Sequence, residues 1–206
     1  MSDRVWLVRH GRTNWNMSGH YLGSSDIDLD EVGLQQAHGL ASWAAQVRVD
    51  MIVTSPARRA MRTAAAVGTQ LGTDPRIDDR LHEVDFGIAE GRTLADLARE
   101  NPQVVAQFEL DPVGHHFPGG EDPRRALSRI RAAVTDVVRL DAARPLVVTH
   151  GTVLRLLLCD ILQVPLTEYR RLMPIAENCA ITELSVTDDK LALRRFNAPP
   201  CVPEVC

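Results

Sequence analysis

Two short apolar runs in this chain end in the same dipeptide. Val5-Trp6-Leu7-Val8 leads into Arg9-His10-Gly11, and Leu146-Val147-Val148-Thr149 leads into His150-Gly151. Such a run, cut off by glycine, reads as a buried strand ended by a turn. Met51 to Val53 is a third run of this kind. Between them, apolar residues return at helical spacing. Glu31 to Gln46 carries Val32, Leu34, Ala37, Leu40, Ala41 and Ala44, with Asp30 placed as its N-cap. Ser55-Pro56 is expected to open a second helix, Ser as cap and Pro at the first helical position, ending near Gly72. Arg124 to Leu140 and Val153 to Leu162 read as further helices, and Ala180 to Val186 and Leu191 to Phe196 alternate like two late strands. Strands alternating with helices predict an α/β fold, a three-layer α/β/α sandwich around a mostly parallel central sheet. Ligands of such sheets bind beyond the carboxyl ends of the strands. Both His-Gly turns fall there.

The stretch 78–122 breaks the alternation. It is rich in Gly, Pro and charge, with one short helix near Leu94 to Glu100, and predicts a loop-rich insertion over the active site. With no repeat and no linker, residues 1–206 are expected to form a single domain, closed by an irregular tail at 197–206. A net charge of −4 provides no global field for nucleic acid or an anionic membrane, so a bound anion must be caught by local cations. No apolar run has the length of a membrane span, and the first ten residues lack the features of a signal peptide. Cys159, Cys179, Cys201 and Cys206 are scattered and do not form a disulfide framework; a reduced cytoplasm is the simplest reading. A homodimer is compatible with the sequence, which carries no mark of oligomeric state.

If the two His-Gly strands lie centrally, two imidazoles meet at one crevice, and each glycine lets backbone approach a ligand closely. The helix after His150-Gly151-Thr152 offers free N–H groups to an anion. Arg58, Arg59 and Arg62 follow the second strand; arginine grips phosphate oxygens bidentately, and one or two of the three are expected on a solvated face. Glu83 and Asp85, in Leu81 to Gly87, are both available to protonate a leaving alkoxide, and spacing does not choose between them. Asp26, Asp28 and Asp30 begin like a calcium loop, but Glu31 stands where Gly is required and Ala37 where the bidentate Glu should be. His115 and His116 are adjacent, a poor arrangement for chelating one metal; they are expected to contact substrate or face solvent.

In order along the chain, LVRHGRTNWN, SPARRAMRTA, LHEVDFG and VVTHGTVLR resemble the histidine phosphatase superfamily, in its phosphoglycerate-mutase-like branch. The resemblance spans Val5 to about Leu184. It implies that His10 is a nucleophile, Arg9 and Arg59 phosphate-binding arginines, Glu83 the proton donor and His150 the second histidine. It places Thr13, Asn16 and Gly23 around the phosphate, and Asn178 near the site. Phe86, Gly151 and Thr152 are expected to contact substrate. Three positions depart from the family pattern: Leu22 where a polar residue is frequent, Phe86 in place of Tyr, and Asp122 in place of Ser.

The implied activity is that of a metal-independent, acid-type phosphomonoesterase with no cofactor. It would act on a small phosphorylated metabolite through a phosphohistidine intermediate. The main alternative is a cofactor-dependent phosphoglycerate mutase, which needs extra cations for a bisphosphate; the stretch 93–111 offers only Arg99. An aspartyl-phosphate enzyme built on Asp26-Ile27-Asp28 would need its Asp at the end of an apolar strand. A catalytically dead binding module is disfavoured because every proposed catalytic position carries a competent side chain.

Overall fold

The computed structural model describes residues 3–140, 142–188 and 190–201. The strands are β1 (Arg4–Arg9), β2 (Met51–Thr54), β3 (Arg76–Ile77), β4 (Pro145–Thr149), β5 (Ile181–Thr187) and β6 (Lys190–Ala198). The helices are α1 (Asn14–Ser18), α2 (Glu31–Gln46), α3 (Arg58–Leu71), α4 (Leu94–Glu100), α5 (Pro102–Leu110), α6 (Pro123–Arg139), α7 (Gly151–Ile161) and α8 (Tyr169–Leu172). The strands form one sheet in the order β3-β2-β4-β1-β5-β6. The first four pair in parallel, and β5 and β6 add an antiparallel edge.

The two-residue period of a strand sorts the apolar runs onto two faces. Val5, Leu7, Val53 and Val147 join α6 and α7 in one core. Trp6, Val8, Ile52, Leu146 and Val148 join α2 and α3 in the other. Burial on both faces explains why these strands are continuous apolar runs rather than alternating ones. Asp30 caps α2 by accepting the Gly33 N–H at 2.7 Å, and Gly72, with φ of 67°, ends α3 in the left-handed region.

The structure corrects several expectations. Helix α3 begins at Arg58, behind an N-cap at Ala57 that makes no side-chain bond. Ser55 stands two residues before that cap; its oxygen accepts the Ala57 N–H at 3.3 Å and meets His150 Nε2 at 2.7 Å. The insertion holds a second helix, α5, and its Leu97, Val105, Phe108 and Phe117 are buried in the same core as β1 and α7. It is part of the packing as well as a cover. The expected tail begins too early, since Asn197 and Ala198 belong to β6 and Ala198 pairs with Ile181. Asn197 is held there by accepting from the Glu177 N–H and donating to Ile175 O. The tail's last five positions, 202–206, lie outside the described residues. Cys159 and Cys179 are buried free thiols, whereas Cys201 is disulfide-bonded; Cys206 lies outside the described residues. No helix among the described residues is long and apolar enough to cross a membrane.

Two glycines dock α2 against the turn after His10. A Cβ on Gly33 would lie 2.1 Å from the Arg12 carbonyl oxygen, and one on Gly11 would lie 2.6 Å from Gly33 O. At Gly39, in the same helix, a Cβ would meet nothing within 4 Å. Gly33→Ala should therefore destabilise the protein by about 1–3 kcal/mol in denaturant titrations. Gly39→Ala should stabilise it by about 0.5–1 kcal/mol. Equal effects at the two positions would show that the Gly11–Gly33 contact yields easily.

Candidate active site

Strands β1 and β4 pair with Arg9 opposite Thr149, and the His10 N–H donates to Thr149 O at 3.0 Å. The two His-Gly turns thus leave the sheet side by side. The imidazoles of His10 and His150 stand 5.2 Å apart, edge to face, and both are buried. His10 Nδ1 lies 2.7 Å from Gly11 O. A carbonyl only accepts, so Nδ1 carries the proton and Nε2 keeps the lone pair. Asn178 Nδ2 donates to His10 O at 2.7 Å and fixes the same turn from the far side. Burial, then the charges of Arg9 and Arg59, hold the His10 pKa well below its ordinary value of 6.5. Burial and then Arg59 and His10 do the same for His150.

Three buried side-chain nitrogens lack a hydrogen-bond partner among the described residues: Arg9 Nε, Arg59 Nε and His150 Nδ1. All three belong to groups that act electrostatically on His10 or contact it. An orphaned buried donor costs about 1–3 kcal/mol, and more when charged. Their concentration around one imidazole is an arrangement that a bound oxyanion would satisfy. The other ends of these side chains are anchored. Arg9 Nη1 donates to Ala176 O at 2.7 Å. Arg59 Nη1 donates to Ser25 O and Nη2 to Gly23 O, each at 2.8 Å. His150 Nε2 meets Ser55 Oγ, which also accepts the Ala57 N–H. Burial pushes the Arg9 pKa down to about 10 despite the opposing charge of Glu83, so the guanidinium stays charged at neutral pH.

Glu90 sets the loop that grips Arg59. Its carboxylate accepts the N–H groups of Gly23, Ser24, Ser25 and Phe86 and the Ser25 hydroxyl. A Cβ on Gly23 would lie 2.1 Å from Val84 O and 2.3 Å from Glu90 Oε1, so only glycine fits. Nothing in the local pattern distinguished Glu90 beyond its place after LHEVDFG.

Glu83 Oε2 accepts the Thr152 N–H at 2.8 Å, and Oε1 accepts those of Val153 and Val84. The acceptor at the N-terminus of α7 is therefore a carboxyl group of the protein itself. Arg129, ion-paired with Glu121, clamps this turn through Arg80 O, His82 O and Glu83 O. Asp85 turns instead to the Gly87 N–H.

A cavity of about 250 Å³ opens over these groups. Arg9, His10, Asn16, Glu83, Phe86, Gly151 and Thr152 line it, as expected from the sequence. A Cβ on Gly151 would press on Arg9 at 3.4 Å. Arg59 and His150 are fully buried and lie outside the cavity wall; His150 packs edge to face with His10, and Arg59 acts on it through its charge. Thr13 and Gly23 do not reach the cavity. Thr13 caps α1 in reciprocal bonds with Asn16, and Gly23 supports Arg59. Asp85, His115 and His116 are likewise absent from the cavity wall. Arg58 pairs with Asp26 and Arg62 with Asp28, while Asp30 caps α2, which accounts for the calcium-like string. Among the described residues, no group of three or more His, Cys, Asp or Glu could hold a metal ion. The sequence reading missed His20, Tyr21, Arg155, Tyr169 and Arg170 in the wall. Cations that 93–111 does not provide thus arrive from α7 and α8.

The profile of the histidine phosphatase superfamily, branch 1, matches residues 5–199. The chain belongs to this superfamily. It is 31% identical over 194 residues to a Hydrogenobacter thermophilus protein named phosphoserine phosphatase 2, covering 94% of this chain and 95% of the relative. It is 33% identical to a Salmonella choleraesuis protein named for phosphoglycerate mutase, GpmB, covering 91% and 86% of the two chains. The mycobacterial glucosyl-3-phosphoglycerate phosphatase, solved with VO3, superimposes with a TM-score of 0.86 at 27% identity, over 96% of this chain and 100% of that one. The α-ribazole phosphatase of Shigella flexneri gives a TM-score of 0.83 at 25% identity, over 95% and 96% of the two chains.

The two neutral imidazoles make a signed prediction. Unfolded histidines take up protons near pH 6.5, whereas folded His10 and His150 resist until well below it. Protons therefore favour the unfolded chain as pH falls through 6.5, and the stability present above that pH is lost. Each imidazole should contribute a slope of about 1.4 kcal/mol per pH unit below 6.5. Denaturant unfolding between pH 7 and 5.5 should show this slope, and His10→Asn should remove about half of the part due to the pair. A slope unaltered by that substitution would mean that His10 is not held neutral.

Proposed function

We infer that this protein is a phosphomonoesterase that releases phosphate from a small metabolite through a phosphohistidine on His10. The observation that carries the reading is the set of three orphaned buried donors, Arg9 Nε, Arg59 Nε and His150 Nδ1, around an imidazole whose Nε2 holds a lone pair. A tetrahedral phosphoryl group supplies the acceptors that these donors lack.

His10 Nε2 attacks phosphorus in line and the P–O ester bond breaks. Glu83, in its protonated form, gives its proton to the leaving oxygen. Water then attacks the phosphohistidine, Glu83 takes up its proton, and His10 leaves as the neutral imidazole it began as. Arg9, Arg59 and His150 hold the equatorial oxygens through both steps. For His150 Nδ1 to donate, Nε2 must accept, so the Ser55 hydroxyl donates to it; this agrees with Ser55 Oγ accepting from Ala57 N. Because side chains supply the positive charge, the reaction proceeds without a metal. The acid-type assignment rests on the same neutral histidine nucleophile. Relatives named for phosphoserine, glucosyl-3-phosphoglycerate and α-ribazole phosphate support a small phosphorylated metabolite as substrate. The GpmB likeness, together with Arg155 and Arg170 in the cavity wall, favours a mutase as the second reading.

His10→Ala should abolish phosphate release from nitrophenyl phosphate while the far-ultraviolet spectrum is unchanged. Under the same conditions an exhaustive chelator should leave the parent rate within about twofold. A phosphoenzyme trapped by acidless quenching should be acid-labile and base-stable, as a phosphoramidate is. Turnover by His10→Ala, or an acid-stable adduct, would overturn the nucleophile assignment.

Proton donation matters most when the leaving group is poor. Glu83→Gln should lower kcat/KM for alkyl phosphates at least about 100-fold, and for nitrophenyl phosphate far less. Asp85→Asn should show no dependence on the leaving group. The reverse pattern would move the proton donor to Asp85.

A further inference from the structure

The turn that carries Glu83 is held from two sides. Its side chain is fastened to the start of α7 through the N–H groups of Thr152 and Val153. Its backbone is fastened to α6 by the half-buried Arg129. Arg129 Nη1 donates to Arg80 O at 2.8 Å and to His82 O, and Nη2 donates to Glu83 O at 3.0 Å. Nε and the second Nη2 hydrogen go to the two oxygens of Glu121, at 2.8 and 2.6 Å. All five N–H groups of the guanidinium are thus committed. The remaining carbonyl of the run, Leu81 O, accepts the Thr149 hydroxyl at 2.9 Å. Glu121 closes the other flank, its N–H donating to Asp85 O at 2.8 Å. Among the described residues, no other donor reaches His82 O or Glu83 O. The chain at 82–86 is neither helix nor strand, so side chains satisfy the carbonyls that a ladder would otherwise fix.

We propose that Arg129 is a positioning residue for proton transfer, its clamp on the 80–83 turn holding the Glu83 carboxyl at the leaving oxygen. The proposal rests on the phosphatase reading, with Glu83 as proton donor. Arg129 does not line the cavity, so it touches neither the phosphate nor the rest of the ester. Its ion pair is with Glu121 and not with Glu83. It therefore acts through the geometry of the turn. As the P–O bond breaks, the proton leaves Glu83 for the ester oxygen, which requires a donor within hydrogen-bond reach. A catalytic group displaced by about 1 Å can cost about 100-fold in rate. Without Arg129, three carbonyls lose their donor and the turn is free to shift. His10, Arg9 and Arg59 keep their own anchors at Gly11, Ala176 and the carbonyls of Gly23 and Ser25. The loss should appear in protonation of the leaving group and not in the grip on phosphate. Lysine keeps the charge, but its single ammonium cannot reach all three carbonyls and Glu121 together.

The test compares nitrophenyl phosphate with phenyl phosphate, an ester of the same skeleton with a poorer leaving group. Both are assayed with the full-length parent, Glu83→Gln, Arg129→Met and the double variant. Arg129→Met should lower kcat for phenyl phosphate at least about tenfold and for nitrophenyl phosphate by less than about twofold. Inorganic phosphate should inhibit Arg129→Met and the parent with constants within about twofold of each other. With Glu83→Gln already present, adding Arg129→Met should cost less than about twofold on either ester, because two residues that serve one proton transfer are not additive. If Arg129→Met does not fold, Arg129→Lys and Glu121→Gln decide, each expected to widen the gap between the esters about threefold. Equal losses on the two esters overturn the proposal and leave the clamp a merely structural one, as does a full additional loss in the Glu83→Gln background. A Glu83→Gln variant indifferent to the leaving group removes Glu83 as proton donor and this proposal with it. A parent that hydrolyses neither ester overturns the phosphatase reading and, with it, the role proposed for Arg129.

Discussion

The parallel pairing of β1 with β4 is the constraint on which the rest of this structure depends. With Arg9 opposite Thr149, His10 N bonds to Thr149 O, and the chain leaves both strands at the same level. Two residues 140 positions apart in the chain, His10 and His150, therefore meet edge to face. A slip of one residue would turn each strand's side chains to the opposite core, so the apolar alternation that builds both cores also fixes the register of the imidazoles. The Gly11–Gly33 contact and the Asn178 bond to His10 O then leave the turn little freedom. Gly151 lets Arg9 lie against the start of α7, which places its guanidinium beside the imidazole.

Charge is arranged in layers around that pair. Burial first, and then cationic neighbours that are only partly satisfied, hold the pKa of both imidazoles well down, and those neighbours leave donors for an anion. The carboxylates stand one step further out and act mainly on backbone. Glu90 organises the loop whose carbonyls hold Arg59, and Glu83 is fastened to the N-terminus of α7. Orphaned buried donors and buried guanidinium groups lower the stability of the free protein, a cost that a bound anion would relieve.

The cavity has an inner end and an outer wall of different origin. The inner end comes from strand ends, where family membership and sequence motifs agree. The outer wall comes from α7, α8 and the segment after it, with Tyr21 and Phe86 opposite. The insertion supplies Glu83 and Phe86 to the cavity and much of its remaining apolar surface to the core. The outer wall is thus built largely from the last third of the chain; of its two arginines, Arg155 closes the VVTHGTVLR motif and Arg170 lies outside the four motifs.

What the sequence by itself determined was whatever depends on local pattern. Periodicity placed most of the strands and long helices, because burial on two sheet faces or on one helix face imposes a period. Asp30 and Gly72 marked helix ends through capping chemistry that operates within a few residues. Through the family resemblance they carry, four short motifs point to His10, Arg9, Arg59, Glu83 and His150. Tertiary structure alone decided what depends on distant partners. Ser55 reads as a helix cap, but the helix starts at Arg58 and Ser55 bonds to His150, and Thr13 and Gly23 read as pocket residues until their bonds to Asn16 and Arg59 place them behind it. Spacing leaves Glu83 and Asp85 equal and the resemblance implies Glu83; the structure puts Glu83 in the cavity wall and bonds Asp85 to the Gly87 N–H. Arg155 looks like an ordinary polar break in an apolar helix, and Arg170 like half of a surface Arg pair. Their importance arises from the convergence of α7, α8 and β1 on one cavity, a long-range contact for which a single sequence carries no local signature.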